Sequence, residues 1–217
     1  MIRLITSLAL AASLILPAAA QDSRREEKIR AAVETLNKGI EALRANDAAT
    51  AVELITKSID SGRLKDENLR IAHFSRGAGY SMLDRCPDAI PDFTIAIEMK
   101  ADDAQVFAQR GACYDKTKQA PAAIADLKQA VALAPTEPAY ATFLCAVAFN
   151  GKVFAESGPA CEAAVRTFDP KNKEFVQASA QSYEAAGNKP KANEMWKMLL
   201  SLDPASEAAK QGIARTK

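Results

Sequence analysis

The sequence predicts an all-α chain: a solenoid of about five helical hairpins, with a short capping helix at its C-terminal end. Three observations predict it. A 34-residue pattern is written twice in succession, as RIAHFSRGAGYSMLDRCPDAIPDFTIAIEMKADD over residues 70–103 and AQVFAQRGACYDKTKQAPAAIADLKQAVALAPTE over residues 104–137. Overlaid, the copies match Arg76 and Gly77 to Arg110 and Gly111, Tyr80 to Tyr114, Ala89 to Ala123, Asp92 to Asp126, Phe93 to Leu127 and Ala96 to Ala130. Pro87, Pro121 and Pro190 fall in phase, where a proline suits the first turn of a second helix because its missing N–H would lack a partner there anyway. No stretch reads as strand. A fixed period of this length with two helical segments marks an array in which each unit buries its apolar face on its neighbours.

Residues 1–20 are expected to be a cleaved signal peptide. Arg3 supplies the positive start, residues 4–16 a short apolar run, and Ala18, Ala19 and Ala20 the small-residue cleavage site. A membrane anchor is the alternative reading, but the run is short for a span, and no later segment is long and apolar enough. Cleavage leaves one solenoid domain, residues 21–217. It removes Arg3 and no acid, so 27 basic residues face 27 acidic ones. That balance argues against nucleic acid or an anionic membrane as the main partner. The charged clusters at 24–30 and 210–217 read as solvated ends.

A first helix is expected from Ser23, with Ser23 and Glu26 forming a capping box. Ile29, Val33, Leu36, Ile40 and Leu43 then make one apolar stripe. Asn46 and Asp47 turn the chain, and Asp47 caps a second helix over residues 48–59. The link to the next unit is four residues longer than the period needs, so a loop or hinge is expected. Pro91 and Pro159 fall four residues after the usual proline place and should delay or disturb their helices. Gly158 and Pro159 make the fourth unit the most irregular. Residues 206–215 form the closing helix, with Ala208, Ala209 and Ile213 facing inward.

This pattern resembles the tetratricopeptide repeat (TPR), whose unit is a helical hairpin with small residues at its eighth, twentieth and twenty-seventh places. Large residues stand at its eleventh and twenty-fourth. Gly77 and Gly111, Tyr80 and Tyr114, Ala89 and Ala123, Phe93 and Leu127, and Ala96 and Ala130 fill those places. Pro135 fills the usual proline place near the end of its unit, and Ala101 replaces it in the copy before. Lys173 opens another copy, with Ala180, Tyr183, Ala192, Trp196 and Pro204. A weaker one, with Cys145, Ser157, Cys161 and Ala164, has one extra residue and its proline, Pro170, one place late. The first has Gly39, Ala51, Ile55 and Ser58. The units fall near 32–65, 70–103, 104–137, 138–172 and 173–206, with a cap at 207–217. The resemblance implies a right-handed α-solenoid. A small residue on one helix facing alanine on the other lets two helices approach closely.

Four cysteines in an exported chain favour disulfides, and four allow three pairings. Buried free thiols are the other reading. The repeat register favours Cys145–Cys161 across one hairpin, and Cys86–Cys113 where stacked units meet. No CxxC is present. The lone histidine, His73, stands on an apolar face and reads as a packed side chain. No cysteine has a neighbour at zinc-ligand spacing. GxSxG, Walker, GxGxxG and HExxH patterns are all missing. Asp102 and Asp103 fall between helices and read as caps. The sequence predicts no enzyme, no metal and no cofactor.

The resemblance implies a concave groove lined by first helices, where another protein's peptide or helix would bind. Its residues here are Leu36, Asn37 and Ile40 in the first unit, and Ile71, Phe74, Ser75, Ala78 and Met82 in the second. Gln105 and Gln109 follow in the third. The groove is expected to be apolar at its N-terminal end, with Phe74 and Met82 as anchors, and polar at its C-terminal end; the other reading is that the long N-terminal helix or self-association covers the apolar residues. Phe74→Asp is expected to abolish binding without loss of helix. The basic residues with which some TPR domains clamp a C-terminal carboxylate are missing, so cytosolic chaperone tails are not expected partners. The compact leader is of bacterial type and points to the periplasm. The chain therefore reads as an exported interaction scaffold or adaptor. Two other classes stay open: a structural homo-oligomer joined through the N-terminal stripe, and a redox-linked role for the cysteines.

Overall fold

The computed structural model describes residues 18–100 and 102–217, and among them are eleven helices and no strand. The expected leader therefore lies mostly outside the described residues, as does Ala101. The helices are α1 (Ala18–Arg44), α2 (Ala48–Asp60), α3 (Asp66–Met82), α4 (Cys86–Met99), α5 (Ala104–Lys116), α6 (Ala120–Leu133), α7 (Pro138–Asn150), α8 (Phe154–Thr167), α9 (Lys173–Ala185), α10 (Lys189–Leu202) and α11 (Glu207–Arg215). α1 to α10 pair as five successive hairpins, each stacked on the next, and α11 packs on α10.

One contact recurs inside the hairpins. A Cβ added to Gly39 would lie 2.5 Å from the Ile55 side chain; added to Gly77 it would lie 2.8 Å from the Phe93 ring, and added to Gly111, 3.2 Å from Leu127. Small residues on the first helix thus let a large one on the second come close. The fourth hairpin puts Cys145 and Cys161 in these same two places, with Cα atoms 4.6 Å apart and at disulfide distance. Cys86, opening α4, and Cys113, on α5, form the other such pair, at 4.9 Å. Disulfides of this kind stabilise a fold by about 2–4 kcal/mol each.

The hairpin turns also repeat. Asn46, Asp84, Lys118, Lys152 and Gly187 all have φ between 57° and 78° and occupy the same place in their units. The N–H of the next residue reaches back five residues, as from Arg85 to the Tyr80 carbonyl at 2.8 Å and from Asn188 to Tyr183 at 2.8 Å. This is the Schellman closure of a helix C-terminus.

Polar staples join neighbouring hairpins. Arg76 donates two hydrogen bonds of 2.8 Å to Asp92, and a third, of 3.4 Å, to Thr56 of the preceding hairpin. Arg110 repeats this with Asp126 at 2.8 Å and Thr94 at 3.0 Å. His73 is buried, with Nδ1 2.8 Å from Asp92. Between the fourth and fifth hairpins the staple is Glu162, which accepts from Tyr183 Oη at 2.6 Å, Lys191 Nζ at 2.9 Å and Arg166 Nε at 2.7 Å.

Burial alone would push the Glu162 carboxyl up. The hydrogen bonds from Tyr183, Lys191 and Arg166 together outweigh it and hold the group at about 2, from an ordinary 4.5. A depressed carboxylate contributes stability above its unfolded-state value and loses it as pH falls toward its folded one. Thermal stability should therefore fall between pH 4.5 and 2, and Glu162→Gln should flatten that limb relative to the parent chain. Parallel pH–melting curves for the two would remove Glu162 from this role.

Several expectations are corrected. α1 does not begin at Ser23: Ala18 to Ala20 are strong helix formers, and the helix runs straight through the capping-box sequence. The extra residues before the second unit do not make a long loop; most extend α3 by a turn at its N-terminus. Pro91 and Pro159 sit inside α4 and α8 without delaying either start. The carbonyls they leave without a helical N–H belong to Pro87 and Ala155, exposed residues within reach of water. The fourth unit has two full helices. In α11, capped by Ser206, Ala209 is buried and Ile213 packs on the last core cluster, but Ala208 is exposed.

Candidate protein-binding groove

First helices lie on the inside of the curve. The contacts that skip a helix join α1 to α3, α3 to α5 and α7 to α9. α5 and α7 make no comparable contact, and a groove of about 440 Å³ opens between them. Gln105, Ala108, Gln109 and Ala112 form one wall, on a single face of α5 because they are spaced by three and four residues. Ala139, Tyr140 and Phe143 of α7 form the other. The lining carries no charged side chain.

Gln105 and Gln109 are the expected groove residues that line it. The apolar N-terminal wall expected from the sequence is largely core. Leu36 is 2% exposed and Ser75 6%, so neither faces a ligand. Ile40 and Ile71 pack on the cluster containing Leu36, Ile55 and Ala72. Phe74 is half-buried, its ring 6.1 Å from that of Phe93, so Phe74→Asp would also disturb packing. Ala78 is half-buried, while Asn37 and Met82 are exposed. The physical reason is the close packing of α1, α3 and α5, which closes the inner surface at this end. Tyr140 and Phe143 were not among the expected groove residues, because the separation of α5 from α7 that exposes them is not written in the repeat register. Their spacing of three in PAYATFLCAVAFN was the available signal.

The N-terminal stripe is likewise occupied: Leu36 is core, and Val33, Ile40 and Leu43 pack beside it. What projects is the polar stretch 21–28. The four cysteines are buried and paired, with none free among the described residues. Asp103 caps α5, accepting from the Gln105 backbone N–H at 3.0 Å. No group of three or more His, Cys, Asp or Glu among the described residues could hold a metal ion. No described helix is long and apolar enough to cross a membrane.

No family model matches the chain. Its fold does match solved structures. YrrB, described as a TPR protein with an unusual peptide-binding site, superposes with a TM-score of 0.66 at 18% identity, over 93% of this chain and 99% of YrrB. A MamA structure gives 0.64 at 18% identity, over 80% of this chain and 92% of MamA. The fold is that of a TPR solenoid. Two plant proteins resemble the sequence: Hsp70-Hsp90 organizing protein 3 of Arabidopsis thaliana, 22% identical over 165 residues, and the Hsp70-Hsp90 organizing protein of Triticum aestivum, 26% identical over 156 residues. These cover 75% and 70% of this chain but only 29% and 27% of the plant proteins. The TPR array here therefore spans under a third of those relatives' length.

Proposed function

We propose that this TPR chain is a non-enzymatic interaction scaffold that takes a segment of another protein in the α5–α7 groove. The observation that carries the reading is the groove itself, an opening between two consecutive first helices lined by alanines and by two aromatic side chains. The description of YrrB as peptide-binding supports it. The plant relatives' names do not transfer their partners, because the lining here has no basic residue to meet a carboxylate terminus. A photo-crosslinking residue at Tyr140, in the native host, should capture one dominant protein, and Ala108→Arg should reduce that adduct at least tenfold. Self-adducts only, or an adduct indifferent to Ala108→Arg, would refute the assignment.

The same reading places the protein outside the cytoplasm, in the periplasm. Residues 1–20 carry the leader pattern, and two cysteine pairs suit an oxidising compartment. Fusing residues 1–20 to a reporter active only after export should give active, processed reporter. An unprocessed, inactive fusion would refute this.

A further inference from the structure

From the order in which the cysteines pair, we infer that this chain is the substrate of a disulfide-bearing thiol oxidant that acts before the hairpins stack, and that no disulfide isomerase is needed to correct the pairing. The inference is independent of the groove reading. Cys86 is paired with Cys113, 27 residues on, and Cys145 with Cys161, 16 residues on. Each cysteine is thus joined to its nearest neighbour in sequence. No other choice of two cysteines encloses so short a segment, since even Cys113 and Cys145 stand farther apart than either pair.

Closing a loop in an open chain costs entropy that grows with the logarithm of its length. Two short, separate loops therefore form more readily than the crossed or nested loops of the other two connectivities. Loop length favours the observed pairing by roughly fivefold or more over either of them. A chain that meets the oxidant N-terminus first gains further, because Cys86 and Cys113 reach it before Cys145 and Cys161.

Folding then shuts the chemistry off. Cys86, Cys113, Cys145 and Cys161 are 2%, 0%, 1% and 0% exposed, and thiol–disulfide exchange needs a thiolate to reach a sulfur. Cys86 and Cys113 belong to the core where α4 meets α5. Cys145 and Cys161 lie inside the fourth hairpin, in its tight small-to-large place. Oxidation therefore belongs to the open chain. The chain brings no catalyst of its own, since its sequence has no CxxC pair.

Each bond forms by two exchanges. One cysteine thiolate attacks a sulfur of the oxidant's disulfide, forming a mixed disulfide and releasing one oxidant thiolate. The neighbouring cysteine thiolate attacks the chain's own sulfur in that mixed disulfide, closing the bond and releasing the second oxidant thiolate. Two electrons pass from the chain to the oxidant, which leaves as two thiols carrying the protons that the cysteines gave up.

The test uses the full chain, reduced and unfolded in guanidinium chloride, in a mixture of oxidised and reduced glutathione held until the product ratio is constant. Denaturant removes any guidance from native packing, so the products report loop closure alone. Acid quenching, proteolysis and mass spectrometry of the linked peptides identify the connectivity. Cys86–Cys113 with Cys145–Cys161 should exceed each of the other two by about fivefold or more. In a second arm the chain is refolded from the reduced state in the same glutathione mixture without denaturant, with and without protein disulfide isomerase. The yield of correctly paired chain should be the same in both. In a third arm the folded, oxidised chain is offered dithiothreitol, and both bonds should resist it until guanidinium chloride is added. Comparable amounts of the three connectivities in denaturant, a higher yield with the isomerase, or equally fast reduction with and without denaturant would each overturn the inference.

Discussion

Trp196→Ala is expected to cost about 3–5 kcal/mol, the range for emptying a large aromatic site in a core, and to loosen the C-terminal end rather than the whole chain. Trp196 is buried among Tyr183, Met195 and Leu199. Its Nε1 donates to Glu184 at 3.0 Å. Gly212 of α11 lies so close to the indole that any side chain there would clash with it. Arg215, three residues on, reaches Glu184 at 2.6 Å. The ring is thus both the filling of the fifth hairpin and the seat of its cap. In a solenoid each unit contacts only its neighbours, so the damage should be local. Hydrogen exchange should speed up across α9 to α11 and stay unchanged in α1 to α4. A loss below about 1 kcal/mol, or acceleration spread evenly along the chain, would contradict this account.

The second large effect is expected for Asp92→Ala, at about 3 kcal/mol, the low end for breaking a buried ion pair by removing one partner. Asp92 accepts two of the three hydrogen bonds of the Arg76 guanidinium and lies against His73 Nδ1. Its side chain is 4% exposed, but Arg76 is 18% exposed and can recover some hydration, which sets the low end. Asp126→Ala removes the equivalent staple with Arg110, and no histidine is bonded there. Asp92→Ala should therefore be the more damaging of the two. Chemical denaturation of both variants measures the difference, and equal losses would mean that His73 contributes nothing to the staple.

The hairpins were legible because their physics is written in side-chain size. Gly77 facing Phe93, and Gly111 facing Leu127, leave a fixed small-to-large spacing in the sequence, and prolines in the first turns mark the second helices. The cysteine pairs followed from the same register. The first hairpin turn, at Asn46 and Asp47, was legible, but the later ones were less so. Four of the five left-handed residues in the hairpin turns are Asn, Asp, Lys and Lys, so among these turns the glycine that usually betrays a Schellman closure appears only at Gly187. The open part of the inner face was not legible. Phe74 and Leu36 occupy groove places in the repeat, but how closely neighbouring first helices approach is a matter of stacking between units. Sequence position within a unit does not encode it. Tyr140 and Phe143 became groove residues only once α5 and α7 were seen to stand apart.

The placement of the two cysteine pairs has a consequence for that gap. Cys113 ties α5 back to α4, and Cys145 ties α7 forward to α8. Neither bond crosses from α5 to α7. Covalent reinforcement thus lies on either side of the opening, and α5 and α7 are joined across it by α6, by residues 134–137 and by the packing of α6 on α7. A slight change of tilt between α6 and α7 would alter the width of the opening while leaving both bonds undisturbed. No cross-link thus fixes the one dimension that a bound segment would gauge.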